Sequence, residues 1–308
     1  MPEPGVAPEG VAIHAFGATR ARSAALGLVR LVWRLRPDVI LSGAPEISFL
    51  VLFLRPFLPR PTRVLVRQNG TVSWALAHGN VPRYTRLLYR LLYRRADGVI
   101  CQSRAMAEDL ARETAVPREK IVVLPNPVDL EGIVAAQSAP SAWRGEGPHL
   151  LAAGRLSNEK GFDLLIEALA RVRTRFPSAD LTIAGSGGEK AALEALSRKA
   201  NLGDAFHIAD SLSTPYALFP GATLFVLSSR FEGMPNALLE AAAAGLPLVA
   251  TPASGGVVEL LEGRQGAWLA AEISTDALAD ALLLALENLH PGQRFRHTFF
   301  SSKTAAAR

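Results

Sequence analysis

Four ionisable side chains fall in two short stretches of this chain, and their types and spacing suit one anionic, hydroxyl-bearing ligand. Glu232 and Glu240 stand eight positions apart within residues 224–251, LFVLSSRFEGMPNALLEAAAAGLPLVAT. Arg155 and Lys160 stand within residues 154–161, GRLSNEKG. An Arg offers a planar fork to pairs of oxygens and a Lys a point charge, so two cations after a glycine turn suit a diphosphate. A carboxylate accepts from sugar hydroxyls. Taken alone, the residues leave a second reading open: Glu240 bonded to backbone, and Glu232, Arg155 and Lys160 as ordinary surface charges.

The elements around these residues are set by apolar runs and turn residues. Leu224 to Leu227 is a fully apolar run, as in a strand buried on both faces. Pro235 opens a helix over 236–244, and Gly245 ends it. Leu246 to Ala250 is the next strand, which makes a βαβ unit in a parallel sheet. The helix is Ala and Leu all round, so Glu240, its one charge, needs a donor. Glu232 sits in the loop at the helix N-terminus, where unpaired backbone N–H groups attract anions. Likewise 149–154 predicts a strand, 162–173 a helix, and 181–184 a strand entering the glycine turn at Gly185 and Gly187. A dinucleotide fingerprint there would need glycine at Lys190.

Both segments closely resemble the family 4 retaining glycosyltransferases of the GT-B fold. The expected fold is therefore α/β, two Rossmann-like doubly wound domains, residues 1–144 and 145–308. The resemblance implies that Arg155 and Lys160, with Gly154, grip a nucleotide diphosphate. It implies that Glu232 faces the donor sugar and that Glu240 holds the ribose hydroxyls. Gly233, Met234, Asn236 and Ala237 would meet the sugar and distal phosphate. Gly185 and Gly187 would turn near the nucleotide, and Asp210 would lie by the base. The donor would be a UDP- or GDP-sugar, with no metal, since no D-x-D occurs. The expected activity is retaining transfer of a hexosyl unit to a glycan or lipid-linked acceptor, in polysaccharide or glycolipid biosynthesis. The resemblance begins inside the family's first domain, and the tail from about 289 lacks its closing helices. The alternative expectation is thus a truncated, catalytically silent protein that binds nucleotide.

The first half predicts a strand at 11–16, a helix at 22–35, a buried strand at 37–42, an apolar helix at 47–58 and a strand at 64–66. Residues 67–70, RQNG, read as a polar turn near the sheet's ligand edge, and His78 as a loop histidine without a spaced partner. Pro82 to Arg95 predicts a basic amphipathic helix, with Arg83, Arg86, Arg90 and Arg94 opposite Tyr84, Leu87, Leu88, Leu91 and Leu92. It could lie on an anionic membrane or form a solvated face. Residues 96–103 read as a strand entering a turn and 120–129 as a last strand ending in a Pro-Asn-Pro turn, Ser103 as a cap for a helix at 104–113, and 130–147 as a linker.

The chain has 308 residues, is 49% hydrophobic and carries a net charge of +5. That suits one large or two ordinary α/β domains, and anionic ligands or an anionic membrane surface. No nucleic-acid motif accompanies the charge. One cysteine, Cys101, excludes an internal disulfide and fits a reducing compartment. The longest apolar run, 47–54, is far short of the ~20 residues that span a bilayer. The expected location is cytoplasmic, either free or peripheral on the inner face of the membrane.

Overall fold

In the computed structural model of the chain, residues 10–297 are described except 18–19, 79–80, 83, 139–140, 142, 144–146 and 210–214. They fall into two compact units. The first comprises residues to Cys101 with Ala107–Val123, the second Gln102–Met106 with the chain from Leu124.

The first unit holds α1 (Ala25–Leu35), β1 (Val39–Ser42), α2 (Pro45–Leu54), β2 (Arg63–Arg67), α3 (Val72–His78), α4 (Thr85–Leu92), β3 (Gly98–Cys101), most of α5 (Arg104–Thr114) and β4 (Ile121–Val123). Its strands form one parallel sheet in the order β1-β2-β3-β4. Ser103 caps α5 by accepting from the N–H of Met106 at 3.1 Å, as its position predicts.

Four expectations change here. Residues 11–17 form no strand and are exposed. β1 is an edge strand rather than a buried one, with Leu41 59% exposed, because among the described residues it pairs only with β2. His78 ends a short helix rather than lying in a loop; its side chain, like Arg83, is outside the described residues. α4 turns inward through Tyr89, Leu92 and Tyr93, the two rings packing on Phe49 at 4.9 and 5.9 Å. Tyr84, Leu87 and Leu91, expected on the packed face, are exposed. The polar turn after β2 holds: buried Gln68 donates to Gly70 O and accepts from the Tyr93 hydroxyl.

The second unit continues with α6 (Leu130–Gln137), β5 (His149–Ala153), α7 (Phe162–Arg175), β6 (Asp180–Ala184), α8 (Lys190–Lys199), β7 (Phe206–Ala209), β8 (Leu224–Leu227), α9 (Asn236–Ala243), β9 (Leu248–Ala250), α10 (Gly255–Leu261), β10 (Ala267–Leu269) and α11 (Thr275–Asn288). Residues 289–297 add no helix or strand. The linker expected at 130–147 begins as helix α6. Asp129 caps it by accepting from Gly132 N, and Ile133 is buried in the second unit's core. The expected division at 145 is therefore displaced, because α6 packs with the second unit.

All six strands are parallel, in the order β10-β9-β8-β5-β6-β7. Alternation along β5 and β8 explains why both read as unbroken apolar runs. Leu150, Ala152, Leu224 and Val226 face the core under α7 and α11, while Leu151, Ala153, Phe225 and Leu227 face the core under α6, α9 and α10. Each of these buried Leu, Val and Phe side chains contributes about 1.5–3 kcal/mol. The chain leaves β5 in one direction across the sheet and returns to β8 in the other. The order thus reverses between β5 and β8, the place where loops at the carboxyl ends part to form a crevice.

Candidate active site

The loops that leave β5 and β8 carry the two motifs, and the reversal of strand order sets them side by side. After β5 the chain turns at Gly154 and runs through a single 3-10 turn, 158–160, to Gly161, whose φ of 60° starts α7. A Cβ on Gly161 would lie 2.1 Å from Ser228 O, so the approach of the two loops excludes any side chain there. Gly185, after β6, is held as closely: its Cβ would fall 1.8 Å from Gly154 O.

Residues 228–230 bind the first loop along its length. Ser228 Oγ donates to Lys160 O at 2.9 Å, and Arg230 N donates to Glu159 O at 2.8 Å. The Arg230 guanidinium reaches Asn158 O at 2.9 Å and forks onto Asp163 at 2.7 and 2.6 Å. That fork holds the Asp163 carboxyl below its ordinary range. The result is a preorganised loop that presents Lys160.

Lys160 Nζ meets Glu232 Oε1 at 2.7 Å, and the same oxygen accepts from Ser229 Oγ at 2.6 Å. Glu232 is buried and Lys160 nearly so, their side chains 9% and 22% exposed. Lys160 can hold Glu232 and still offer N–H groups to a ligand. Arg155 is more open, 73% exposed, and pairs at 3.4 Å with Glu159. Glu240 is half-buried. Tyr216 lies close by: burial raises the Glu240 pKa, the Tyr216 hydroxyl lowers it and nearby Asp129 adds to the rise. The N-terminus of α9 has no side-chain cap, so its first N–H groups remain for an anion.

One cavity of about 820 Å³ within the second unit gathers these groups. Arg155, Lys160, Glu232 and Glu240 all line it. So do Gly154, Gly185, Gly187, Met234, Asn236 and Ala237. Gly233 borders it in sequence, its carbonyl held by the Ser254 hydroxyl at 3.3 Å. Asp210 lies outside the described residues. Ser186 and Pro215, not singled out in the sequence, also line it. The supports Ser229, Arg230, Asp163, Tyr216 and Asn126 were not singled out either; Arg230, Asp163 and Asn126 act through partners distant in sequence.

Residues 134–298 match the family described as glycosyl transferases group 1, and residues 6–131 match glycosyltransferase family 4. The chain belongs to the group 1 glycosyltransferases. Its fold is accordingly GT-B. Among curated relatives, it is 24% identical over 246 residues to an uncharacterised glycosyltransferase of Methanocaldococcus jannaschii, spanning 76% of this chain and 60% of that one. It is 30% identical to an N-acetylgalactosaminyltransferase of Campylobacter jejuni that acts on a diphospho-undecaprenol-linked glycan, across 69% of this chain and 57% of the relative. It is 30% identical to glycogen synthase of Mycobacterium tuberculosis, across 84% and 62%. The chain thus spans about three-fifths of the length of these relatives. Among solved structures, sucrose-phosphate synthase of Thermosynechococcus elongatus superposes with a TM-score of 0.74 at 19% identity, covering 87% of this chain and 69% of that one. Anabaena HepE in complex with UDP and glucose gives 0.70 at 18%, covering 89% and 75%. Among the described residues no helix of this group 1 glycosyltransferase is long and apolar enough to cross a membrane.

Proposed function

We propose that the chain is a retaining glycosyltransferase that moves a hexosyl unit from a UDP- or GDP-sugar to a glycan or lipid-linked acceptor. The observation that supports this best is the convergence of Arg155, Lys160, Glu232, Glu240 and the uncapped N-terminus of α9 on one cavity. A nucleoside diphosphate leaving group gains negative charge as the glycosidic bond breaks. Lys160, Arg155 and the α9 N–H groups supply fixed positive potential for that charge. Glu240 accepts from the ribose hydroxyls. Glu232, already placed by Lys160 and Ser229, accepts from a hydroxyl of the sugar. The acceptor oxygen attacks the anomeric carbon from the face the phosphate leaves, and the departing phosphate oxygen takes the acceptor's proton. The UDP of HepE and the lipid-linked glycan of the C. jejuni relative are the chemistries that this reading carries over.

Calorimetry with UDP and GDP, joined to a transfer assay over a panel of UDP- and GDP-sugars, tests it. Binding with turnover supports the proposal. Binding without turnover selects a nucleotide-binding protein that is catalytically silent. No binding to either nucleotide overturns both.

The acceptor side of the proposal is a docking surface for anionic lipid on the cytoplasmic face of a membrane. The first unit carries 17 Lys and Arg against 9 Asp and Glu, a formal +8, whereas the second carries 16 against 19, a formal −3. On α4 the exposed Tyr84, Leu87 and Leu91 lie beside exposed Arg86 and Arg90, with Arg94 beyond. Apolar tips flanked by guanidinium groups suit a headgroup boundary. Co-sedimentation with vesicles of phosphatidylglycerol should exceed that with phosphatidylcholine, and Leu87→Glu with Leu91→Glu should abolish the excess. Equal binding to both vesicle types refutes it.

A further inference from the structure

We infer that Asn126 is a positioning residue that turns the NH2 of the Asn236 amide toward the cavity, where it donates to the distal phosphate of the donor. This rests on the nucleotide-sugar reading above.

Hydrogen-bond polarity fixes the orientation of both amides. Asn126 lies between Pro125 and Pro127, whose rings each fix a φ, and it is buried at 9% exposure. Its Nδ2 lies 3.4 Å from Met234 O. A carbonyl oxygen only accepts, so this end of the Asn126 amide must be the NH2. The same NH2 also meets the side chain of Asn236. Against a donor, Asn236 must present its oxygen. Its own NH2 is then left pointing away from Asn126.

Asn236 is the first residue of α9, is exposed, and lines the cavity. Its NH2 would therefore stand beside the uncapped N–H groups of the helix, extending one donor array. With the amide turned over, an oxygen would face the phosphate instead. Asn126 also holds Met234 O, so one buried amide sets both the course of the 233–236 loop and the polarity of its last side chain.

The test uses the full chain and calorimetry with UDP and UMP, or GDP and GMP for whichever base binds. Asn126→Asp cannot donate to Met234 O or to Asn236, and it should recruit the Asn236 NH2 to itself. Diphosphate affinity should fall about tenfold or more, while monophosphate affinity changes less than twofold. Asn236→Ala should lose a similar factor, and the double variant should be no worse than Asn236→Ala alone. Asn126→Ala, with no new charge, should show a smaller loss of the same selectivity. Additive losses in the double variant would mean direct repulsion by the new carboxylate and would overturn the inference. Equal losses for mono- and diphosphate, or a fall in melting temperature without that selectivity, would make Asn126 merely structural and overturn it too. Unchanged diphosphate affinity in Asn126→Asp overturns it alone. Failure of the wild type to bind any of these nucleotides overturns the donor reading and this inference with it.

Discussion

Removing Lys160 should damage stability and activity for separable reasons. In Lys160→Ala the Glu232 carboxylate, 9% exposed, keeps the Ser229 hydroxyl and loses its counter-charge. Losing one partner of a fully buried ion pair costs about 3–5 kcal/mol. Lys160 is 22% exposed, so water can reach part of the gap and the expected cost is nearer ~2 kcal/mol. That corresponds to a fall of about 4–8 °C in the melting temperature of a domain this size. The loss of charge stabilisation at the leaving phosphate adds a kinetic penalty of about 3–4 kcal/mol, or 10²–10³ in kcat/KM. Adding Glu232→Gln removes the stranded charge. The double variant should regain most of the stability and none of the rate. Chemical denaturation measures the first quantity, and nucleoside diphosphate release from the preferred donor measures the second. Full kcat/KM in Lys160→Ala would refute the phosphate role. No recovery of stability in the double variant would refute the claim that the two charges depend on each other.

Three further substitutions probe the same site. Gly161→Ala combines a φ of 60° with a Cβ 2.1 Å from Ser228 O, and should lower stability by more than ~2 kcal/mol in a denaturant titration. Arg230→Ala should loosen the loop that presents Lys160, lowering kcat/KM about tenfold in the release assay and stability by about 1 kcal/mol. The Asp163 pKa lies below its ordinary 3.8 when folded, so that stability difference should be present above pH 3.8 and shrink as pH falls through the folded value, as acid titration of both proteins would show. Glu240→Gln should do the reverse. Burial raises the Glu240 pKa above 4.5 in the folded chain, so its ionisation destabilises as pH rises from 4.5 through the folded value. The variant should melt higher than wild type at pH 7, by ~1 kcal/mol or less, with no gain below pH 4.5, while binding nucleoside diphosphate more weakly.

The parts of the site that were legible in the sequence are those written locally. Leu224 to Leu227 needed only its unbroken apolar run, α9 only its Ala and Leu between Pro235 and Gly245, and the β5 loop only its glycines and cations. Composition misled where one residue outweighed it. Residues 130–137 look like a linker by their Ala and Gly, yet the Asp129 cap and buried Ile133 make them helical. Along α4 the Leu pattern suggested the packed face, but Tyr89 and Tyr93 won it by meeting Phe49. β1 shows the hydropathy of a core strand and sits at an edge, which no local pattern encodes. The supports of the site were invisible for a related reason. Arg230 and Asp163 are 67 positions apart, and Asn126 and Asn236 are 110 apart, so only the strand order brings them together.

The bonds that run from Ser228 and Arg230 to residues 158–163 also set rules for rebuilding the molecule. A chimera whose crossover falls between β5 and β8 would inherit one half of this clasp from each parent, and a relative lacking Asp163 or Arg230 would leave a backbone oxygen or a charge without its counterpart. Donor preference should therefore be transplantable among such enzymes only when both loops travel as a single cassette.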